Sequence, residues 1–276
     1  MKKIFAAIMT AALAVTLGGC KSSKSGIENY NFAEMSMEFI QLQAPKPGDT
    51  IAIIDTDYGE IRIKLFEEYA PNTTQAFINL ANEGKYDDIP VMVVYSDTLF
   101  LSGGYSVGEN TYVGRENKEE LIANEYTPEL WPFKGALMSY SDVEGFGDAR
   151  WFVCNNDKEN LTKEAIDELK LENEYYYDEE AKPKISELLD KFYEYGGVFG
   201  FAGRATVFGQ TYKGFDVVER LTNIPANEQG YVTEMVKIRS VTISQFKDGD
   251  EAEDFPLYVH NDTNDSETEQ EILESE

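Results

Sequence analysis

Residues 203–221, GRATVFGQTYKGFDVVERL, constrain the fold of this chain more than any other stretch. A strand reading Thr206-Val207-Phe208-Gly209 runs through a polar turn into a short helix that starts at Gly214-Phe215-Asp216-Val217. Far upstream, Ile61, Ile63 and Leu65 alternate with Arg62 and Lys64, the period-two pattern of a half-buried antiparallel strand. The turn Thr56-Asp57-Tyr58-Gly59 joins that strand, 60–65, to an earlier one at 51–55 as a hairpin. A helix follows with Pro71 at its start and Gly84 at its end, the favoured place for each, and with Ala76, Phe77, Leu80 and Ala81 as its apolar face. Further strands fit 91–95, 99–101, 135–140, 151–154, 206–212 and 232–244. Short strands with few helices predict a closed or nearly closed antiparallel barrel around one core.

The two ends of the chain differ from this middle. Lys2 and Lys3 precede an apolar run at 4–17, and Leu17-Gly18-Gly19-Cys20 resembles a bacterial lipobox. That run is too short for a membrane span, so residues 1–19 are expected to be a lipoprotein signal peptide. An ordinary secretory signal with Cys20 close to the cut is the alternative. Lipidation of Cys20 would anchor the chain to a bacterial membrane, stably where two or more acyl chains are attached. Residues 20–47 then read as a tether and everything beyond Cys20 as extracytoplasmic. Residues 247–276 are overwhelmingly acidic and are expected to be a disordered tail.

Composition narrows the chemistry further. A formal charge of −27 argues against nucleic acid as a partner. His260 is the single histidine and lies in the tail, which nearly excludes histidine catalysis and His/Cys metal sites. The acidic residues lack ligand spacing, so neither metal nor cofactor is expected. Cys154, left alone after the lipidated Cys20, sits in apolar Trp151-Phe152-Val153-Cys154 and reads as a buried, inert thiol. Oligomeric state is left open.

Residues 155–197 interrupt the strand pattern. Thr162 can cap a helix running through Leu171, with Ile166 and Leu169 inward. A second helix begins near Pro183, places Ile185, Leu188, Leu189 and Phe192 on one face, and stops at Gly196-Gly197. This predicts a helical hairpin packed outside the barrel, either as a structural insert or as a lid beside the site.

Motifs in a fixed order complete the picture. Tyr58-Gly59-Glu60-Ile61-Arg62-Ile63-Lys64-Leu65-Phe66 leads to Ala70-Pro71-Asn72-Thr73-Thr74 and Phe77; Leu101-Ser102-Gly103-Gly104, Lys134-Gly135-Ala136-Leu137-Met138-Ser139 and Arg150-Trp151-Phe152-Val153 follow, ahead of 203–221. In this order and spacing the chain resembles the cyclophilin-type peptidyl-prolyl cis-trans isomerases. The insertion ending in Tyr193-Glu194-Tyr195-Gly196-Gly197 is similar to that of bacterial lipoprotein members. The resemblance implies a mainly β domain over 48–246: a closed eight-stranded antiparallel barrel with capping helices and the inserted hairpin. It also implies a proline pocket on the outer face and proline-containing polypeptides as partners.

The implied chemistry is rotation about an X–Pro bond, whose barrier of about 18–20 kcal/mol comes from delocalisation of the nitrogen lone pair. A donor to that nitrogen weakens the conjugation while an apolar wall holds the ring. Counting back from Gly103-Gly104, the family's donor arginine falls on Val94, which cannot donate. The wall is expected from Phe100, Phe152 and Phe201, with Ser102 at a further substrate position. Two roles are open for Arg150: a surface arginine paired with an acid, or a relocated donor facing the prolyl amide. Three functions follow: an isomerase assisting the folding of extracytoplasmic proteins with weakened or lost activity, a non-catalytic module binding proline-containing segments or envelope partners, or a purely structural surface lipoprotein.

Overall fold

A computed structural model describes residues 29–32, 35–106, 112–113, 121–156, 162–174 and 179–252. The expected signal peptide, the Cys20 anchor and nearly all of the acidic tail lie outside the described residues.

The strands are β1 (Thr50–Thr56), β2 (Gly59–Leu65), β3 (Ile89–Pro90), β4 (Val93–Tyr95), β5 (Leu99–Ser102), β6 (Tyr105–Ser106), β7 (Tyr112–Val113), β8 (Ile122–Ala123), β9 (Ala136–Ser139), β10 (Phe146–Gly147), β11 (Trp151–Cys154), β12 (Val207–Lys213) and β13 (Lys237–Gln245). The helices are α1 (Pro71–Asn82), α2 (Lys163–Glu174), α3 (Ala181–Tyr195) and α4 (Phe215–Thr222). Nine strands form one antiparallel sheet in the order β3-β13-β1-β2-β12-β9-β11-β5-β4. The two end strands, β3 and β4, are consecutive in the chain. Between them the Val91 amide donates to the Val236 carbonyl and the Met92 amide to the Leu101 carbonyl, each at 2.9 Å. Residues 89–95 therefore bridge β13 to β5 and curl the sheet into an eight-stranded barrel.

Period two decides what lies inside. β2 buries Ile61, Ile63 and Leu65, and these meet Ile54, Phe77, Trp151, Phe208 and Val218 in the interior. Helix α1 covers one end with Thr74, Phe77, Ile78 and Ala81 buried, a face rotated slightly from the one expected. Its N-terminal amides find a distant acceptor: Asn72 and Thr73 donate to the Glu125 carboxylate at 3.1 and 2.9 Å. A carboxylate there satisfies orphan amides and suits the helix dipole. The expected hairpin forms over Asp57-Tyr58, with the Thr56 hydroxyl donating to the Gly59 carbonyl at 2.7 Å. The strand expected over 232–244 is shorter. Residues 226–232 fold back as a loop whose Gly230 takes φ +84°, so β13 begins only at Lys237.

The insert forms two helices as its periodicity requires. Ile185, Leu188, Leu189 and Phe192 of α3 are buried against Trp131 and Phe133, with Ile166 of α2. The same second core also takes in part of the expected tether. Tyr30, Phe32, Met35 and Phe39 are buried there, and Tyr30 stacks on Trp131 with ring centroids 4.3 Å apart. Gln41, wholly buried, locks the lead-in down. Its amide nitrogen donates to the Trp131 carbonyl and to Gln210 Oε1 at 2.8 and 2.6 Å, and its Oε1 accepts from the Trp131 amide at 2.7 Å. Aromatic side chains at 30, 32 and 39 make this segment too apolar to stay a solvated spacer.

Candidate functional site

Registers across four strands separate the two faces of the barrel wall. One row runs Val94, Phe100, Val153, Leu137, and all four belong to the interior cluster. The adjacent row runs Val93, Leu101, Phe152, Met138, Val207 and belongs to a separate cluster on the outer face. Phe201, on the short 3-10 turn Phe199–Phe201 after the insert, lies against Phe152 edge to face, centroids 5.4 Å apart. The two rings are 4% and 3% exposed, so they form the floor of the outer cluster. Its half-buried margin includes Tyr69, Val93, Tyr95, Tyr140, Val198 and Ala205.

The structure thus brings Phe152 and Phe201 together as expected and turns three other positions away. Phe100 is fully buried inside the barrel, edge-on to Trp151 at 6.0 Å, and cannot serve an outer wall. Val94 is likewise interior. Ser102 is buried and donates to the Pro90 carbonyl at 2.8 Å. The reason is register. A shift of one residue moves a whole strand to the opposite face, and here Leu101 rather than Phe100 or Ser102 stands opposite Phe152. Gly103 holds that register, because at φ +90° a Cβ would sit 2.6 Å from the Ala149 carbonyl oxygen. The displacement supplies no donor: across β5 from Phe152, the outer row continues with Leu101 and Val93.

Arg150 is on that outer face, two residues before Phe152 in the extended chain. Its side chain is only 12% exposed and bound on several sides. Nε donates to both Asp148 carboxylate oxygens at 3.1 Å, and Nη2 donates to Asp148 Oδ2 at 2.6 Å and Asp142 Oδ2 at 2.8 Å. The guanidinium carbon lies 4.8 Å from the centroid of the Tyr140 ring, a cation–π contact. Burial opposes the arginine's charge, but the bonds to Asp148, then Asp142, outweigh it and hold its pKa above the ordinary value. Burial, then the Asp142 charge, push the Tyr140 hydroxyl up to about 12. Nη1 takes part in none of these bonds, so its N–H donors are not used by the two carboxylates.

The loop 121–127 pins this corner in place. The Glu125 amide donates to Thr206 Oγ1 and Asn124 Nδ2 to the Arg204 carbonyl, each at 2.9 Å. Tyr140, Asp142 and Asp148 belong to none of the sequence motifs. The spacing Asp148-Ala149-Arg150 is a signal for one of them, since an aspartate can accept from the backbone amide two residues on, as Asp148 does from Arg150 at 2.8 Å. Asp142 and Tyr140 reach Arg150 only through the fold.

Comparison with known proteins decides the family. The model for "Cyclophilin type peptidyl-prolyl cis-trans isomerase/CLD" matches residues 51–243. This chain belongs to the cyclophilin-type peptidyl-prolyl cis-trans isomerase family. It is 22% identical over 221 residues to a Staphylococcus aureus protein provisionally named a peptidyl-prolyl cis-trans isomerase, covering 78% of this chain and 99% of that one. It is 23% identical over 222 residues to a Streptococcus pyogenes protein provisionally named a bifunctional phosphatase/peptidyl-prolyl cis-trans isomerase, covering 79% of this chain and 43% of that one. Among solved structures, a cyclophilin-type isomerase of Cryptosporidium parvum aligns with a TM-score of 0.49 at 15% identity, over 72% of this chain and 99% of that one. The outer face of this cyclophilin thus carries a packed aromatic pair, Phe152 and Phe201, while the Arg150 guanidinium is shared out between two carboxylates. Cys154, on the same face, is fully buried; burial pushes its thiol up to about 12, which makes it a packing residue.

Proposed function

We propose that this cyclophilin is a lipid-anchored, extracytoplasmic protein that holds proline-containing segments of other proteins against the Phe152–Phe201 floor and isomerises them weakly. One observation carries the reading: the aromatic pair persists on the outer face, while the arginine beside it already has Asp148 and Asp142 as partners. The ring of a bound proline displaces the half-buried margin at Tyr140 and Tyr95 to reach the floor. Nη1 of Arg150 is then the donor nearest to the prolyl nitrogen. A guanidinium whose charge is neutralised by two acids gives up little further hydrogen-bond strength to a neutral amide, so the lone pair stays largely conjugated and the barrier falls only slightly. The extracytoplasmic placement rests on the lipobox-like run ending at Cys20.

Titration of an Ala-Pro test peptide tests the binding half. Saturable binding that Phe152→Leu weakens severalfold supports it, and equal binding by wild type and Phe152→Leu refutes it. Protease-coupled isomerisation tests the catalytic half. A turnover scarcely above buffer, removed by Arg150→Met, is expected. Fast turnover that survives Arg150→Met contradicts the assignment of the donor. Palmitate labelling in cells, lost in Cys20→Ser, tests the anchor.

A further inference from the structure

The described surface carries a cavity of about 250 Å³ that is separate from the aromatic floor and opens to solvent between the turn after β4 and the loop after α4. Its lining includes Tyr95, Ser96, Asn223, Asn227, Glu228 and Gly230. The frame around it is tied together. Ser96 Oγ donates to Asn223 Oδ1 at 2.6 Å, and Asn223 Nδ2 donates to Asp97 Oδ1 at 2.8 Å. Asn227 Oδ1 accepts from the amides of Gln229 and Tyr231, both at 3.0 Å, and the Gly230 carbonyl accepts from the Val94 amide at 2.8 Å.

Two features set its chemistry. The first is one-sided charge. Glu228 lines the cavity and Asp97 borders it, both exposed and both without an ion pair among the described residues. Neither stretch that builds the rim, 86–106 or 221–236, contains a lysine or arginine. The second is continuity with the proline floor. Tyr95 packs on the outer cluster and also lines the cavity, and a Cβ on Gly230 would lie 3.4 Å from Tyr95 Cε1. One ring divides the two.

We infer that this cavity is a side-chain subsite for a lysine or arginine of the same polypeptide whose proline rests on the Phe152–Phe201 floor. The inference rests on the proposed proline binding and specifies which segments are taken. From Phe152 across β5 to β4 is two interstrand steps of roughly 4.8 Å each, and Tyr95 lies two residues further along β4 than Val93, the residue in the Phe152 row, so the span is about 12 Å. An extended peptide covers that in three to four residues at roughly 3.3 Å per residue. The basic residue thus lies three or four positions from the proline. Asparagine and backbone oxygens supply acceptors for an ammonium or guanidinium, and Glu228 supplies the opposite charge.

Fluorescein-labelled alanine-based peptides with one proline, and with lysine, alanine or glutamate three or four residues away on either side, test this by anisotropy. Wild-type protein should bind one of the lysine peptides about fivefold more tightly than its alanine counterpart, the upper range for an exposed ion pair. In Glu228→Gln the preference should fall to near unity while the alanine peptide binds as before. Equal binding of lysine and alanine peptides by wild type overturns the subsite and leaves the proline floor standing. A lysine preference that Glu228→Gln leaves intact also overturns it, assigning the preference to the overall charge of −27. If no proline peptide binds, the underlying reading falls and takes the subsite with it.

Discussion

The state of Arg150 can be measured through stability, because its principal partner is buried. The side chains of Arg150 and Asp148 are 12% and 4% exposed, whereas Asp142 is 71% exposed. Exposed pairs contribute about 0–1 kcal/mol, and stripping one partner from a buried pair costs about 3–5 kcal/mol. Arg150→Met keeps the aliphatic packing but leaves the Asp148 carboxylate with the Arg150 backbone amide, at 2.8 Å, in place of the guanidinium. The expected loss lies between those limits, about 3 kcal/mol, which is roughly 6 to 12 °C in midpoint for a domain of this size. Asp148→Asn should cost less, because the uncharged amide still accepts from that backbone donor. The double variant should recover about 2 kcal/mol relative to the sum of the singles. Thermal and urea unfolding of all four proteins, followed by circular dichroism, gives the cycle. A coupling below about 0.5 kcal/mol, the level of an exposed pair, would mean that the guanidinium is not held as described, and the proposal of weak catalysis would lose its basis.

Other expectations follow from single residues. Asp142→Asn removes the exposed partner alone, so it should raise isomerase turnover severalfold with a midpoint change below about 1 kcal/mol; unchanged turnover would mean that Asp142 does not restrain Arg150. Gln41→Ala strands the Trp131 amide and carbonyl and the Gln210 side chain, and should cost about 2–4 kcal/mol in urea unfolding; a silent variant would show that residues 29–42 are not part of the core. Cys154 should resist thiol reagents at pH 8 until the protein unfolds. Because its folded pKa of about 12 exceeds the ordinary value of 9.0, its contribution to stability is complete below pH 9 and is lost as pH rises toward 12. Urea midpoints that stay flat from pH 8 to 11 would contradict that burial.

What the chain discloses without coordinates follows the strength of each local signal. Strand β11 is read at its observed limits because four apolar residues between turns leave little choice. The hairpin over Asp57-Tyr58 and the buried face of α3 follow from periods of two and 3.6. The site is less legible for the same reason that period two is informative. Motif counting locates β5, but a slip of one residue exchanges Phe100 for Leu101 on the outer face, and only the pairing with Phe152 fixes which one faces out. The Arg150 partners illustrate the other limit. Asp148 is close in sequence, but Asp142 and Tyr140 are brought in by the turn between β9 and β11, which no periodicity encodes. Likewise Tyr30, Phe32 and Phe39 lie too far apart in an irregular lead-in to announce that they fill the groove beside Trp131.

Exchange NMR on an Ala-Pro peptide with isotope-labelled protein measures binding and rotation in one sample. Resonances of Phe152, Phe201 and Tyr140 should shift on titration while the cis–trans exchange rate stays close to that of free peptide. Exchange accelerated by orders of magnitude with Arg150 replaced by methionine, or shifts confined to other parts of the barrel, would contradict a proline-binding floor flanked by a restrained arginine.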